Sequence, residues 1–331
     1  MEERGEIMIL IFSDLHLDNY RKFSTILRGG VNSRLASQVR VVTEVKKIAE
    51  ATKPTAIIFL GDLFNGQGAT ISKQLYLFGH RLVTTLSKVA PIYLIVGNHD
   101  IYGDMHVLEP MNAIKNVWVI DHTTQVSIDG LIIHLVPWCG MIPKGGDVIL
   151  GHLDIEGART GGGYTLAGTI HPKELTQPLV ISGHFHSRQQ LTENIFYSGA
   201  VMANDFGDCS DEKFGVTLLN PDRTIEFVEI TSPKFIPVEI TTQDDVTRFI
   251  DNRNNKNYYK LIVHDRKLNI PKMNHLVEVE WDIKEEIKGR LDYEPNEPLE
   301  DIIIKYINKM DVKVDKDEAK RILVEVFSEI N

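Results

Sequence analysis

Residues 92–100 read Ile-Tyr-Leu-Ile-Val-Gly-Asn-His-Asp, an apolar run that ends in a cluster of polar side chains. Short apolar runs rich in β-branched residues are typical of buried strands. The glycine after the run permits a sharp turn and a close approach of the backbone. The stretch therefore predicts a strand that presents Asn98, His99 and Asp100 at its carboxyl end.

Four other stretches repeat this pattern of an apolar run followed by side chains that bind metals. They are Ile7–Phe12 with Asp14 and His16, Ala56–Leu60 with Asp62, Asp147–Leu150 with His152, and Leu179–Ile181 with His184 and His186. Sites in open α/β sheets lie outside the carboxyl ends of the strands, so we expect these side chains to meet. A single histidine is more often a core or surface residue than a ligand, but the ordered set favours a common site.

The side chains in this set are carboxylates, a carboxamide and imidazoles, with no thiolate. They suit hard and borderline divalent ions such as manganese, iron or zinc. Seven candidate ligands exceed what one ion needs, so we predict a site for two ions bridged by one carboxylate. Two such ions activate water and stabilise the charge that develops at phosphorus. The sequence therefore predicts hydrolysis of phosphoesters.

Composition limits the class of protein. The chain has 331 residues, is 43% hydrophobic and carries a formal net charge of -10. This charge argues against a protein that coats nucleic acid through bulk electrostatics, but a metal-dependent enzyme can still bind nucleic acid. No apolar run is long enough to cross a membrane and no export signal precedes the first strand. The two cysteines, Cys139 and Cys209, are expected to be buried and reduced in the cytoplasm.

The arrangement of the predicted elements indicates two regions. Helical stretches at Ser33–Ala51 and Ser72–Lys88 alternate with the first strands, which is typical of an α/β layer fold. Hairpin-like patterns from Gly130 onward predict a second sheet. The serine and the two prolines of residues 232–237 are typical of a loop between elements, and we take this segment as a boundary. We therefore divide the chain into residues 1–232 and 233–331. The second region should contain strands and two terminal helices.

The order of the motifs resembles that of the calcineurin-like metallophosphoesterases over about residues 7–230. The motifs are Asp-Leu-His16, Gly-Asp62, Gly-Asn-His-Asp100, Gly-His152 and Gly-His-Phe-His186. Within that superfamily the chain looks most like the SbcD-type nuclease subunit of the double-strand-break repair complex, especially its tailed-phage recombination-endonuclease version. The additional likeness lies in Asn116-Val-Trp-Val-Ile-Asp121, Leu135-Val-Pro-Trp138 and Tyr197-Ser-Gly199.

The resemblance implies a fold, two ions and a role for each motif residue. The implied fold is an α/β sandwich of two facing mixed sheets flanked by helices, with a small C-terminal α+β capping domain. The implied ligands are Asp14, His16 and His186 for one ion, Asn98, His152 and His184 for the other, and Asp62 as the bridge. His99 would stabilise the transition state or protonate the leaving oxygen, and Asp100 would either orient His99 or close a turn. Manganese is the expected metal, with magnesium, iron or zinc as alternatives.

The resemblance also implies a substrate and partners. The expected function is cleavage of DNA in repair or recombination by a homodimer that acts with an SbcC-like ATPase, and the two apolar-striped terminal helices would bind that ATPase. Helices near residues 72–88 and 109–115 are candidates for the dimer surface. His106 and Arg188 follow the motifs closely enough to contact substrate. Two alternatives remain: a phosphodiesterase or phosphatase for small substrates such as cyclic nucleotides, and a mainly architectural subunit that binds DNA ends.

Overall fold

The computed structural model describes residues 9–66, 71–160, 162–165, 167–208, 213–283, 297–309 and 315–330. Cys209, whose burial we expected, lies outside these ranges. The expectation for Cys139 is wrong, because its side chain is exposed. Cys139 lies in a loop after a strand, where its backbone is left-handed with φ 58°.

The described residues form strands in three larger sheets and one short hairpin. The strands are β1 (Ile9–Phe12), β2 (Ala56–Phe59), β3 (Ile92–Ile95), β4 (Ile101–Tyr102), β5 (Met105–His106), β6 (Val117–Ile120), β7 (Thr124–Ile128), β8 (Leu131–Val136), β9 (Val148–His152), β10 (Leu179–Gly183), β11 (Gln189–Gln190), β12 (Ile195–Tyr197), β13 (Gly215–Leu219), β14 (Ile225–Glu229), β15 (Phe235–Ile240), β16 (Tyr258–Val263) and β17 (Val277–Trp281). The helices are α1 (Ser33–Thr52), α2 (Lys73–Leu86), α3 (Gln243–Asn252), α4 (Leu299–Lys309) and α5 (Lys316–Ile330).

Two six-stranded sheets make up the body of the protein. The first has the order β14-β13-β1-β2-β3-β6, and the second has the order β11-β12-β10-β9-β8-β7. In the first sheet β1, β2, β3 and β6 are parallel, whereas β13 and β14 run antiparallel to their neighbours. In the second sheet the four central strands are parallel and the edge strands β7 and β11 are antiparallel. The predicted α/β fold with two mixed sheets is confirmed.

Alternating side chains place each strand of the first sheet between two cores. In β1, Ile9 and Ile11 pack with Leu150 of the second sheet. The residues between them, Leu10 and Phe12, belong to a core shared with α1 and α2. Because successive side chains in a strand point to opposite faces, a fully apolar strand is what a doubly covered sheet requires. The layers therefore follow the order helices, first sheet, second sheet.

The chain separates into two compact units, residues 1–281 and 282–331. The first unit includes a parallel three-stranded sheet, β15-β16-β17, with α3 between its first two strands. The second unit contains α4 and α5, which pack against each other. The functional division expected at residue 232 stays a prediction. Of the helices in the described ranges, none is both long and apolar enough to cross a bilayer.

Aromatic side chains join the three-stranded sheet to the rest of the first unit. Phe235 of β15 and Tyr258 of β16 pack in one cluster with Phe23, Phe206 and Phe214. The ring centroids of Phe23 and Phe206 are 5.4 Å apart, and those of Phe206 and Phe235 are 5.1 Å apart. Both pairs are edge to face, a favoured geometry for aromatic rings. The three-stranded sheet is thus packed through a continuous apolar cluster onto the loops that follow β1 and β12.

Candidate metal centre

The carboxyl ends of five strands from both large sheets meet at one place. The polar side chains that follow β1, β2 and β3 face those at the ends of β9 and β10. Three overlapping groups have ligand atoms that all lie within 4.8 Å of one another: Asp14, His16 and His186; His16, Asp62 and His99; and Asp62, His152 and His184. The side chains predicted from five separate motifs therefore come together.

The first cluster consists of Asp14, His16 and His186. The two imidazoles face each other, with 3.0 Å between His16 Nε2 and His186 Nε2. His16 Nε2 also lies 3.9 Å from Asp14 Oδ1. Asp14 and His16 are nearly inaccessible to solvent. One carboxylate and two imidazole nitrogens converging in this way could hold a divalent ion.

The second cluster consists of Asn98, His152 and His184 beside Asp62. Asn98 Oδ1 lies 2.9 Å from His152 Nε2 and 3.0 Å from His184 Nδ1. His152 Nε2 is 3.3 Å from Asp62 Oδ2. These are oxygen and nitrogen donors of the kind that divalent manganese, iron or zinc accept. The second cluster could therefore hold a second ion.

Asp62 lies between the two clusters. Its Oδ2 is 3.6 Å from His16 Nε2 of the first cluster and 3.3 Å from His152 Nε2 of the second. Its Oδ1 accepts a hydrogen bond of 2.8 Å from the backbone N–H of His99. One carboxylate oxygen thus faces both groups of imidazoles, so Asp62 could contribute to the sites of two ions. The residues present fit a pair of divalent ions.

Hydrogen bonds behind the clusters fix the orientation of two imidazoles. His186 Nδ1 donates to Asp208 Oδ1 at 2.6 Å, and His152 Nδ1 donates to the carbonyl oxygen of Leu60 at 2.7 Å. Both bonds leave Nε2 free to face the cluster, which is how outer partners orient metal-binding histidines. Sequence reasoning missed Asp208, because it lies in a loop with no strand before it.

Burial and neighbouring charges shift the pKa values of the clustered histidines in opposite directions. Burial, reinforced by His186, lowers the pKa of His16 to about 3. Burial and the nearby His152 lower the pKa of His184 to about 3. These two imidazoles are neutral near pH 7, and a neutral imidazole is the form that binds a metal.

Carboxylates reverse the effect of burial at the other two histidines. Burial disfavours a charge on His152, but Asp62 outweighs it and raises the pKa of His152 to about 9. Burial likewise opposes a charge on His186, whose pKa Asp208 raises to about 9. Burial would also raise the pKa of Asp62, yet His152 and His16 hold it well below its usual value. Each of these pairs combines a negative carboxylate with an imidazolium that must lose a proton before its lone pair can bind an ion.

Four of the predicted ligands have a left-handed backbone, which is unusual for residues other than glycine. The φ angles are 53° at Asp14, 46° at His16, 61° at Asp62 and 88° at His184. Hydrogen bonds hold two of these positions, from Asp14 N to the Gly61 carbonyl at 3.1 Å and from His16 N to the Asp62 carbonyl at 3.0 Å. Such backbone strain persists where the surrounding structure enforces it, and it concentrates at functional sites.

Two glycines are required by close approach rather than by their own φ angles. A methyl group on Gly97 would overlap Asp62 Oδ1, and one on Gly183 would overlap Ser13 Oγ. The predicted need for glycine beside the ligands therefore has a steric cause at these positions. Any larger residue would displace the carboxylate or the loop that carries it.

The two residues with predicted catalytic roles have different surroundings. The ring of His99 packs edge-on against that of His16, with 4.6 Å between the ring centroids. The carboxylate of Asp100 instead accepts backbone N–H groups, at 3.0 Å from Asp62, 3.2 Å from Phe64 and 3.1 Å from Gly97. These contacts correspond to the turn-closing alternative for Asp100, and an effect on His99 stays a prediction.

The two predicted substrate contacts are both engaged with other residues of the protein. His106 lies on β5, with its Nε2 3.5 Å from Asp121 Oδ2. Arg188 donates to Thr217 Oγ1 at 2.8 Å, and its guanidinium lies 4.3 Å from the centre of the Phe227 ring. These contacts account for the position of Arg188 without a substrate. Substrate binding by either residue stays a prediction.

Comparison with known proteins assigns the class. A family profile described as calcineurin-like phosphoesterase matches residues 7–188, more than half of the chain. The chain therefore belongs to the calcineurin-like phosphoesterase family. Its two-sheet fold and its pair of ligand clusters agree with this assignment. The protein is a metal-dependent phosphoesterase.

Three of the proteins that are similar to this chain come from two iridescent viruses and a phage. The chain is 27% identical over 201 residues, 53% of its own length and 70% of the relative's, to "Putative phosphoesterase 244L" of Invertebrate iridescent virus 6. It is 25% identical over 198 residues, 52% of its length, to "Putative phosphoesterase 078R" of Invertebrate iridescent virus 3. It is 30% identical over 190 residues, 51% of its length, to "Exonuclease subunit 1" of Enterobacteria phage T4. The matches span 56% and 55% of the last two relatives.

Proposed function

We propose that this phosphoesterase is a two-metal nuclease that cleaves DNA phosphodiester bonds. The observation that carries the proposal is the position of Asp62 Oδ2, 3.6 Å from His16 Nε2 and 3.3 Å from His152 Nε2. Two ions held on either side of Asp62 would form a clamp suited to in-line displacement at phosphorus. The preference for DNA is supported by the likeness to the exonuclease subunit of phage T4.

We assign the ligands as the motif order implies. Asp14, His16 and His186 would hold the first ion, Asn98, His152 and His184 would hold the second, and Asp62 would contribute to both sites. When bound, the two ions lower the pKa of water and offset the negative charge of the phosphodiester. Manganese is the proposed metal, with magnesium, iron or zinc as alternatives.

The chain's own contribution to the reaction centres on His99. Its pKa is lowered by burial, with a smaller opposing effect of Asp62. Its ring borders that of His16, which belongs to the first cluster. From there it can donate a hydrogen bond to the phosphate or a proton to the leaving oxygen. Asp100 supports the site by fixing the backbone that carries Asp62.

The proposed assembly is a homodimer that acts with an SbcC-like ATPase. The likeness to a protein named as a subunit supports a partner. In α4 the side chains of Leu299 and Tyr306 are 60% and 41% exposed, and in α5 that of Ile322 is 50% exposed. Exposed apolar side chains on two packed helices suit docking into a groove of another protein.

Three substrates separate this proposal from its alternatives. Manganese-dependent hydrolysis is measured on linear duplex DNA, on single-stranded DNA and on cyclic nucleotides, each with and without the ATPase and ATP. Cleavage of DNA supports the nuclease. Hydrolysis of cyclic nucleotides alone would instead establish a small-substrate phosphodiesterase. Co-purification with the ATPase in the absence of any cleavage would establish the architectural alternative.

We predict that His99→Ala retains both ions but lowers the rate of hydrolysis by about 10²–10⁴-fold, the usual contribution of a general acid or base. Ion content is measured by elemental analysis and rates by steady-state hydrolysis. His122→Ala is the matched control, because the His122 side chain is 80% exposed. Unchanged turnover in His99→Ala would remove this residue from the reaction.

A further inference from the structure

Arg34, in the first turn of α1, is buried at 7% exposure. It is the only buried lysine or arginine in the described part of the chain, and no carboxylate there forms a salt bridge with it. Burying an unpaired cation is costly unless hydrogen bonds and aromatic faces replace its water. An apolar side chain could occupy this buried position at a lower free-energy cost. The presence of a guanidinium here therefore needs a specific explanation.

One set of contacts leads from Arg34 to His186 and Asp14. Arg34 Nη2 donates a short hydrogen bond to the carbonyl oxygen of Asn204. The backbone N–H of Asn204 donates to Asp208 Oδ2 at 2.6 Å, and its Nδ2 donates to the Asp14 carbonyl at 3.3 Å. Asp208 in turn accepts from His186 Nδ1 at 2.6 Å. Arg34 thus holds the residue that positions two members of the first cluster.

A second set of contacts leads from Arg34 to His16. The Arg34 guanidinium carbon lies 3.7 Å from the centre of the Tyr20 ring. The Tyr20 hydroxyl donates to the carbonyl oxygen of His16 at 3.2 Å. Stacking of a guanidinium on an aromatic face fixes the orientation of both groups. All three members of the first cluster are therefore connected to Arg34 through one or two intermediate residues.

The guanidinium also lies near the three-stranded sheet. The Arg34 guanidinium carbon lies 5.0 Å from the centre of the Phe235 ring and 5.4 Å from that of Tyr258. These rings belong to β15 and β16. The same group therefore lies near both the C-terminal sheet and the supports of the first cluster.

The second cluster is supported differently. His152 Nδ1 bonds to the carbonyl of Leu60, and the ring of His184 lies 4.8 Å from that of Trp138. Neither support involves Arg34. A displacement of Arg34 should therefore disturb one cluster and spare the other.

From these contacts we infer that Arg34 is a positioning residue that makes the geometry of the first ion site depend on the placement of the β15-β16-β17 sheet. The inference rests on the proposed two-ion site. Anything that displaces this sheet, such as a partner bound to the C-terminal region, weakens the first site while the second keeps its ion. Arg34 acts through Asn204, Asp208 and Tyr20 and touches no reacting atom.

The experiment measures Mn²⁺ binding to the full chain by calorimetry, alongside thermal unfolding. Arg34→Met should weaken one of the two sites about 10–100-fold, the usual effect of losing an outer support, and leave the other within twofold. Arg34→Lys, which retains one donor for the Asn204 carbonyl, should restore part of the affinity. Arg40→Met on the exposed face of α1 is the matched control. Equal weakening of both sites with a lower unfolding temperature would reduce Arg34 to a structural role and overturn the inference.

A second pair of variants tests the link to the sheet. Phe235→Leu should weaken the same site as Arg34→Met, although Phe235 contacts no predicted ligand. Phe249→Leu, in the other apolar cluster of the C-terminal sheet, is the matched control and should leave both affinities unchanged. Unaltered Mn²⁺ binding in Phe235→Leu would overturn the coupling.

The weakened site is identified in a His184→Ala background, which disables the second cluster. There Arg34→Met should reduce the affinity of the remaining ion. An unchanged affinity of that ion would overturn the inference. A wild-type chain that binds fewer than two ions would refute the proposed function itself, and so separates that failure from a failure of the role of Arg34.

Discussion

Asp208 orients His186, because its Oδ1 accepts a hydrogen bond of 2.6 Å from His186 Nδ1. Asp208 was not predictable, because nothing in the residues before it marks a strand end. Its place beside His186 depends on a loop whose path is set by contacts with Asn204 and Asp205. The proposed ligands, such as Asp14, Asp62 and His184, were easier to find in the sequence, because each follows an apolar run and the ends of parallel strands meet at one edge of a sheet. Residues that hold the proposed ligands in place lack such a signal.

At this scale we predict that Asp208→Asn lowers the affinity of the first ion about 10–100-fold. Asparagine keeps an acceptor oxygen for His186 Nδ1 but loses the negative charge that makes the imidazole a stronger ligand. The affinity is measured by Mn²⁺ titration calorimetry. Asp251→Asn, at an exposed position of α3, is the control. Equal affinities in the two variants would contradict the role of Asp208.

Gly97→Ala should destabilise the protein by about 1–3 kcal/mol, the usual cost of overpacking. The added methyl group overlaps Asp62 Oδ1, so the bridging carboxylate must move and ion binding should weaken. Urea unfolding and Mn²⁺ binding are measured together. In the control Gly162→Ala the methyl group meets only ordinary contacts, the nearest being Tyr164 Cδ2 at 3.4 Å. Identical stability of the two variants would show that the loop accommodates the methyl group.

The predicted helices and strands match those of the structure where the apolar pattern is continuous, as in α1, α2 and the central strands of the large sheets. Phe235–Ile240 forms β15, a strand that the sequence pattern did not predict. The boundary expected at residues 232–237 stays a prediction. Pro237 is tolerated because β15 is an edge strand, which has no partner on one side. The expected helix at 109–115 is a shorter 3₁₀ segment, Glu109–Ala113, which contains Pro110. Whether an edge strand or a single helical turn forms depends on contacts with neighbouring segments. The spacing of apolar residues in the sequence does not reveal those contacts.

The N-terminus of α1 gives a prediction at the scale of an element. Asn32 Oδ1 accepts from the N–H groups of Arg34 at 2.8 Å and Leu35 at 3.3 Å, and Asn32 Nδ2 donates to the Tyr20 carbonyl at 2.8 Å. Asn32→Ala should therefore lower the free energy of unfolding by about 1 kcal/mol. Urea denaturation measures the change. The exposed Asn255→Ala should change it by less than about 0.5 kcal/mol. Equal effects would argue against the cap.

For the molecule as a whole, the aromatic cluster determines where the chain can be shortened. A chain ending at residue 281 retains the complete first unit and should remain folded, with both ion sites. A chain ending at residue 232 loses Phe235 and Tyr258, which uncovers Phe23, Phe206 and Phe214. An apolar patch of this kind promotes aggregation. Size-exclusion chromatography and thermal unfolding compare the two chains, and a monodisperse, stable shorter chain would contradict the prediction.

Because the two clusters draw on strands from both sheets, the site is completed only by the last of its contributors. His186 lies more than halfway along the chain, and the loop with Asp208 that orients it follows still later. During synthesis on the ribosome, a nascent chain that has emerged only through β3 carries Asp14, His16 and Asp62 without their opposing imidazoles. Such a chain cannot yet form either complete cluster, so translation itself delays the onset of phosphoester hydrolysis.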